Sequence, residues 1–359
     1  MDFPDFAEFS QASFAEKTMV SNREPPVALE KISYTAPEEN LAEINTFKDT
    51  LADVWPECTS AFITAPSPGM LATAMHNRAY PSDGEYLDAL GEAVAVEYEA
   101  AITNGLILQI DAPDLAMERH LTFANRSLSD FLKFAEEVIE RINSAIKGLP
   151  KEKLRLHVCW GNYEGPHHLD VPLKEVLPII IEADVGGVML PFANPRHQHE
   201  IEVLKEIHLK PKQYLIAGVI DTLTNFIEHP EVIAQRLERA AEAVGDPKRI
   251  QAGTDCGFDT AAGMGRVTQD IVWAKPNPMP EPVKDRCTRS HEFVFLLSKS
   301  KKYYYDHEAI LEPIGDAMKR SIKNGVQRTE GREFQHDEKT RMGKKSPNRW
   351  TQISKGTSR

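Results

Sequence analysis

Cysteine is scarce in this sequence, with 4 residues among 359. So few thiols cannot form the disulfide framework of a small secreted protein, and they are left as free thiols or metal ligands. Long apolar runs are missing too, since no stretch approaches the roughly 20 residues that span a bilayer. The first residues also lack the basic segment and apolar run of a secretory signal. We therefore expect a soluble, cytoplasmic protein without a membrane partner.

Basic charge is scarce in most of the chain and concentrated near its end. Residues 1–275 carry 24 basic and 43 acidic side chains, whereas residues 276–359 carry 18 and 11. An acidic body is poorly suited to nucleic acid, and the basic tail only permits such binding. This asymmetry indicates two segments of different origin or partner. The sequence gives no indication of an oligomeric state.

Short apolar runs alternate with amphipathic helical patterns from about residue 60 onward. The alternation predicts buried parallel strands separated by helices such as 85–104 and 129–146, with Ser127 and Asp170 at helix starts. No glycine-rich dinucleotide fingerprint follows any run, which favours a (β/α)8 TIM barrel over a doubly wound sheet. A barrel needs eight strands, so we expect an incomplete one. The runs are 61–66, 106–111, 154–160, 187–190, 214–221 and 250–256, with a seventh candidate at 27–34.

The periodic pattern stops near residue 268. Four prolines between positions 276 and 282 prevent a helix from continuing there. From residue 326 onward, polar and basic side chains predominate without apolar periodicity, which is typical of disorder. We therefore divide the chain into a barrel over 1–270, a second segment over 271–325 and a basic, disordered tail over 326–359.

The candidate chemical site lies at the strand ends. His157 and Cys159 are two residues apart at the end of one strand, so both face the same side. Cys256 follows the last strand, and the carboxyl ends of barrel strands form one rim. One imidazole and two thiolates with an open fourth position form a catalytic zinc set. The alternative is that all three are core residues, which is the commoner role of isolated cysteines.

Other polar residues near strand ends have two interpretations each. Asp111 and Asp221 close two strands, where they could contact a substrate or cap the following helix. Arg196 could bind an anion or form a structural ion pair. The loop containing Glu164 and His167 invites a metal interpretation, but such loops more often shape a pocket or lie in solvent.

Four ordered motifs carry a resemblance to a known family. They are similar to the C-terminal catalytic domain of cobalamin-independent methionine synthase and to its shorter relatives, the zinc-dependent epoxyalkane coenzyme M transferases. The resemblance covers about residues 1–275. The motifs are Gln-Ile-Asp at 109–111, the run 157–166, Ala-Asn-Pro-Arg-His at 193–197 and Gly-Thr-Asp-Cys-Gly at 253–257.

This resemblance implies a TIM barrel that uses Zn²⁺ to transfer a methyl or alkyl group from a small-molecule donor to a thiol acceptor, as in methionine biosynthesis. It implies that zinc is held by His157, Cys159 and Cys256. It also implies that Asp111 contacts the amino-acid substrate. Our candidate site residues are completed by catalytic Asp221 and by the substrate-binding residues Trp160, Glu164 and Arg196.

Two departures from the family favour a rival hypothesis. The family often has a glutamate before Asn-Pro-Arg-His, where this chain has Met189-Leu190-Pro191-Phe192. In methionine synthases a histidine follows the turn that here reads Asp221-Thr222-Leu223. A fourth protein ligand and a general acid–base are thus not identified. The rival is a catalytically inactive, truncated barrel fused to a second fragment.

The second segment resembles the middle of an S-adenosylmethionine-dependent DNA amino-methyltransferase, of the kind that modifies adenine N6 or cytosine N4. The runs 271–286, 291–300 and 303–306 carry this resemblance. The Asp/Asn/Ser-Pro-Pro-Tyr/Trp motif that handles the target base is absent from the sequence, and so is the Phe-x-Gly-x-Gly cofactor motif. We therefore expect no DNA methylation. A third hypothesis is DNA binding through the basic segment alone.

Overall fold

The computed structural model describes residues 26–258 and Val267, which belong to one compact unit. Within these residues the strands are β1 Val27–Ala28, β2 Phe62–Pro66, β3 His76–Asn77, β4 Ile107–Asp111, β5 Leu154–His157, β6 Gly187–Pro191, β7 Tyr214–Ile220 and β8 Ile250–Thr254. The sequence segments 271–325 and 326–359, including the disorder expected for the tail, lie outside the described residues.

A parallel sheet of six strands organises the described part of the chain. Its order is β2-β4-β5-β6-β7-β8, so each strand pairs with the next one along the chain. All five residues of Gly187–Pro191 are buried, as expected for a parallel strand covered on both faces. The predicted α/β class with parallel strands is therefore confirmed, and the sequential strand order is the one a (β/α)8 barrel requires.

Six α-helices connect these strands within residues 26–258. Helices α3 (Asp83–Thr103) and α4 (Leu128–Ala145) begin and end within one or two residues of the predicted helices 85–104 and 129–146. Ser127 caps α4 in a capping box with Asp130, since each side chain accepts the backbone N–H of the other. The helices are α1 Pro37–Val54, α2 Pro68–Ala74, α3 Asp83–Thr103, α4 Leu128–Ala145, α5 Leu173–Ile180 and α6 Pro230–Val244. In this part of the chain, no helix combines the length and apolarity needed to cross a bilayer.

One prediction about a chain segment is wrong. The run 27–34 does not join the large sheet, because only Val27–Ala28 is a strand and it pairs with β3 in a separate two-stranded sheet. Leu29 is 72% exposed, and only the buried Ala28 and the partly buried Ile32 of this run contact a small separate cluster. The helix start predicted at Asp170-Val171-Pro172 is confirmed, because Pro172 is the N-cap of α5, which begins at Leu173.

Candidate metal centre

The ends of β5 and β8 bring the three predicted zinc ligands together. One ligand atom from each of His157, Cys159 and Cys256 lies within 4.8 Å of the other two. Zinc–sulfur distances of about 2.3 Å and zinc–nitrogen distances of about 2.0–2.1 Å place tetrahedral ligand atoms roughly 3.5–3.8 Å apart. The three side chains therefore need only small shifts to hold one ion.

Asp111 fixes the orientation of the His157 ring. The two residues are register partners on β4 and β5, and Nδ1 of His157 lies 2.8 Å from Oδ1 of Asp111. Burial lowers the pKa of His157, but the hydrogen bond and charge of Asp111 outweigh burial and raise that pKa to about 9. With Nδ1 committed to a carboxylate, Nε2 is the atom available for a metal ion.

The side chains of Cys159 and Cys256 are hydrogen-bonded to each other. A hydrogen bond from the Cys256 side chain lowers the pKa of Cys159 against the effect of burial, and the His157 charge lowers it further. The same hydrogen bond, together with burial, raises the pKa of Cys256. A metal ion at this position would bind both side chains as thiolates, because the thiolate is the form of cysteine that binds metals.

Asp255 anchors the segment that carries Cys256. Its Oδ1 accepts hydrogen bonds from the backbone N–H groups of Phe192 and Ala193, at 3.0 and 2.9 Å, and its Oδ2 accepts one from Asn194 at 2.7 Å. A Cβ at Gly218 would lie 2.3 Å from Oδ1, so only glycine allows this close packing. Burial raises the pKa of Asp255 to about 7. These contacts tie the end of β8 to the end of β6.

An open cleft with about 310 Å³ of empty space lies beside the two cysteines. Its walls come from the loops after β5, β6, β7 and β8. The lining residues are Cys159, Trp160, Gly161, Asn162, Pro191, Asn194, Arg196, His197, Asp221, Thr222, Leu223, Asp255 and Cys256.

The predicted substrate-binding residues occupy three different positions. The Arg196 guanidinium lines the cleft, and its Nε donates to Oδ1 of Asn194 at 3.0 Å. Trp160 borders the cleft but is 2% exposed, and its indole N–H donates to the Val171 carbonyl at 2.7 Å. Glu164 is exposed and does not line the cleft.

The two strand-end aspartates differ in role. The Asp111 side chain is 36% exposed and contacts His157, so it does not cap a helix. Asp221 is buried, and its Oδ1 accepts the backbone N–H of Leu223 at 2.9 Å. Its Oδ2 accepts the Asn194 side-chain amide at 3.0 Å. Asp221 thus stabilises the loop after β7. This role is closer to the capping alternative than to proton transfer.

Sequence reasoning missed a second cluster of polar side chains around Asp170. Nitrogen atoms of His120, His167 and His197 lie 2.9, 2.9 and 2.8 Å from its carboxylate oxygens. Burial alone would raise the pKa of Asp170, but its contacts with the three histidines hold that pKa far below its usual range. The segments containing His167 and His197 each stood out in the sequence, but nothing there linked them to each other or to His120, because the partners lie on different loops.

The comparisons divide the chain into two regions of different similarity. A DNA methylase family model matches residues 259–355. The chain is 68% identical over 47 residues to Type II methyltransferase M.SmaI of Serratia marcescens, which covers 13% of this chain and 16% of that protein. These matches confirm the resemblance inferred for the second segment.

Methionine synthases and a related lyase are also among the relatives. The chain is 28% identical over 161 residues to the methionine synthase of Thermoplasma volcanium, covering 40% of this chain and 44% of that protein. It is 27% identical over 150 residues to the 2-hydroxypropyl-CoM lyase of Xanthobacter autotrophicus, covering 35% and 40%. These relatives confirm the resemblance inferred from the four motifs. The chain spans less than half the length of each relative named here.

One solved structure that matches this chain is a putative vitamin-B12-independent methionine synthase from Listeria monocytogenes. It is 22% identical to this chain, with a TM-score of 0.48, and the match covers 71% of this chain and 74% of that one.

Proposed function

We propose that the cleft binds zinc and catalyses transfer of a methyl or alkyl group to the sulfur of a small-molecule thiol. The observation that carries this proposal is the convergence of His157, Cys159 and Cys256 beside an open cleft. Bound zinc would hold the acceptor thiol as a thiolate at neutral pH, where a free thiol with a pKa near 8.5 is only a few per cent ionised.

Residues around the three ligands have defined tasks in this proposal. Asp111 holds Nδ1 of the His157 ring, which leaves Nε2, 3.3 Å from the Asp255 carbonyl, as the nitrogen for the metal ion. The partly exposed Asp111 carboxylate can also accept a substrate ammonium group. The Arg196 guanidinium in the cleft wall suits an anionic group on the acceptor. An acceptor thiol with amino and acidic groups fits this pair of charges.

Pro191 leaves room for the acceptor at the metal ion. It ends β6 and lines the cleft, at the end of the strand where the resemblance implies a glutamate. Proline has no side-chain donor atom, so the three ligands leave a fourth position open. An open position is what a substrate sulfur needs in order to reach the ion.

Elemental analysis of mildly chelated, full-length protein tests the metal part of the proposal. We expect the Cys159→Ser and Cys256→Ser variants each to lose one zinc equivalent per chain relative to the wild type. Cys58→Ser is the matched control, because Cys58 lies before β2 and its thiol contacts only the Ser60 carbonyl among the described hydrogen bonds. Full zinc retention by Cys159→Ser would contradict the assignment.

Mass spectrometry of reaction products tests the chemical part. Wild type and Cys58→Ser should alkylate at least one thiol from a panel of amino-acid and sulfonate thiols with methyl and epoxide donors. Cys159→Ser should show no product. A folded wild-type protein without thiolate-bound zinc, or with zinc but no product from any donor, would favour the catalytically inactive barrel.

We also propose that the segment similar to DNA methylases does not methylate DNA in this chain. The sequence lacks the Asp/Asn/Ser-Pro-Pro-Tyr/Trp motif for the target base and the Phe-x-Gly-x-Gly motif for the cofactor. Incubation of the full chain with duplex DNA and labelled S-adenosylmethionine should leave the DNA unlabelled. Labelled DNA would refute this statement.

A further inference from the structure

Three loops at the carboxyl ends of neighbouring strands meet at Asp170. One of them is the loop after β6, which contributes His197. His120 follows the 3-10 helix Met117–Arg119 in the loop after β4, and His167 and Asp170 lie in the loop between β5 and α5. Side chains of His120, His167 and Asp170 are 8%, 3% and 7% exposed. These loops are far apart in sequence, so the sheet order alone brings them together.

Two imidazole nitrogens face the same carboxylate. Nδ1 of His120 lies 2.9 Å from Oδ1 of Asp170, and Nδ1 of His167 lies 2.9 Å from Oδ2. One donor atom from each of the three residues lies within 4.8 Å of the other two. This is the ligand spacing of a single metal ion after small adjustments.

The second nitrogen of each ring is held by Tyr163. Nε2 of His120 lies 2.6 Å from the Tyr163 hydroxyl, and Nε2 of His167 lies 3.1 Å from the Tyr163 backbone carbonyl. A carbonyl only accepts, so Nε2 of His167 carries a hydrogen, and Nδ1 is the ring atom that faces Asp170. Metal-binding histidines typically have their other nitrogen occupied in this way.

Nδ1 of His120 is buried against the Asp170 carboxylate. This buried atom has no aligned hydrogen-bond partner among the described residues, although it lies 2.9 Å from a carboxylate oxygen. Buried polar atoms are almost always satisfied by protein, water or an ion. A nitrogen lone pair and a carboxylate oxygen at this distance repel each other unless a proton or cation lies between them.

We infer that His120, His167 and Asp170 form a second site, for a divalent transition metal ion, separate from the thiolate centre. Two imidazoles and one carboxylate suit Zn²⁺, Fe²⁺, Mn²⁺ or Co²⁺, and the absence of a thiolate sets this site apart from the cysteine pair. The ion links the loop after β4 to the loop after β5. That second loop also carries Gly161 and Asn162, which line the cleft.

A further hydrogen-bonded chain supports the ligand carboxylate. Oδ2 of Asp170 lies 2.8 Å from Nε2 of His197, whose Nδ1 lies 2.7 Å from Glu200. Glu200 in turn accepts the backbone N–H of Leu173 at 2.6 Å, at the start of α5. Ligating carboxylates are commonly held by such outer partners. The chain extends the connection to the loop after β6, which carries Arg196.

The decisive experiment separates this site from the thiolate centre. A full-length Cys159→Ser/Cys256→Ser double variant removes both thiolates and is titrated with Co²⁺. We expect it to bind one Co²⁺ per chain without the sulfur-to-metal charge-transfer absorption. Adding His120→Ala should abolish that binding. His168→Ala is the control, because His168 is an exposed histidine next to the proposed ligand His167.

Two results would overturn the inference. One is a folded double variant that binds no Co²⁺, and the other is equal binding by the His120→Ala and His168→Ala forms. Asp170→Asn, which keeps the size of the side chain, provides a second test if His120→Ala does not fold by circular dichroism. Failure of the proposed function has a different signature, since the wild type would then lack the charge-transfer absorption.

Discussion

Asp111 and His157 lie opposite each other on β4 and β5, with 2.8 Å between Oδ1 and Nδ1. The sheet register creates this contact across 46 residues of sequence. The family resemblance implies that Asp111 contacts the substrate. The structure adds that Asp111 orients His157, a proposed metal ligand. Both roles are compatible, because one oxygen faces the ring and the side chain remains 36% exposed.

Asp111→Asn should weaken zinc binding about 10–100-fold, since losing a carboxylate partner of a ligating histidine typically has this effect. Competition with a chromophoric chelator measures the affinity. Asp221→Asn is the control, because Asp221 lines the same cleft and contacts Asn194 and Leu223 rather than His157. Equal zinc affinity in the two variants would contradict the orienting role of Asp111.

Gly161→Ala should destabilise the protein by more than about 2 kcal/mol. Gly161 has φ of +94°, and a Cβ there would lie 2.7 Å from the Tyr163 ring and 3.0 Å from the Met117 sulfur. The left-handed conformation alone costs roughly 1–2 kcal/mol in a non-glycine residue. Chemical denaturation measures the free energy of unfolding.

Gly148→Ala separates the cost of the left-handed backbone conformation from the cost of steric overlap of the added Cβ. Gly148 has φ of +89°, and a Cβ there would meet no atom within 4 Å. Its substitution should therefore show only the conformational cost. If both alanine variants lose the same stability, the contacts of Gly161 with Tyr163 and Met117 have no energetic effect.

Asp114 should make the protein less stable as the pH rises from about 4 to above 7. It is fully buried, its Oδ1 accepts a hydrogen bond from Ser67 at 2.5 Å, and its Oδ2 has no partner among the described residues. Burial raises its pKa to about 7 despite the Ser67 hydrogen bond. A carboxyl whose pKa is raised by folding stabilises the protein below its unfolded pKa, and this contribution is lost through the folded pKa.

Asp114→Asn removes this titration. Denaturation at several pH values should show that the stability difference between variant and wild type changes in favour of the variant between about pH 4 and pH 8, by a few kcal/mol at most. Asp88→Asn is the control, because Asp88 is an exposed ion-pair partner of Arg141. A pH-independent difference for Asp114→Asn would show that Asp114 keeps an ordinary pKa.

Trp160→Phe should cost about 1–3 kcal/mol, because it leaves the buried Val171 carbonyl without its indole donor. The same change removes part of the stack on His197, where the ring centroids lie 4.0 Å apart. Thermal and chemical unfolding measure the loss. Trp55→Phe, in the partly exposed residue that ends α1, should change stability by less than about 0.5 kcal/mol. Similar losses in both variants would argue against the Val171 hydrogen bond.

Much of the sheet could be predicted because buried parallel strands appear in sequence as short apolar runs. The six runs became the six strands of the large sheet, and placing His157, Cys159 and Cys256 at their ends was enough to predict their convergence. The run 27–34 failed because apolar residues such as Leu29 stand in solvent there.

Contacts that depend on strand register or on several loops could not be predicted. The Asp111–His157 contact needs the exact pairing of β4 with β5. The cluster at Asp170 needs three loops to fold toward one point, and no local pattern links His120 to His197. The domain boundaries at 270 and 325 stay predictions.

The separation of the ligands along the chain has a consequence for synthesis on the ribosome. His157 is joined to the Asp255 carbonyl across 98 residues, and closing a loop of that length costs about 4 kcal/mol of chain entropy. A nascent chain that has exposed only β5 can offer a metal ion one imidazole and one thiol. If the thiolate centre binds zinc as proposed, tight capture at that centre requires β8 to emerge and dock, so a chain that stalls before residue 256 would not hold that ion tightly.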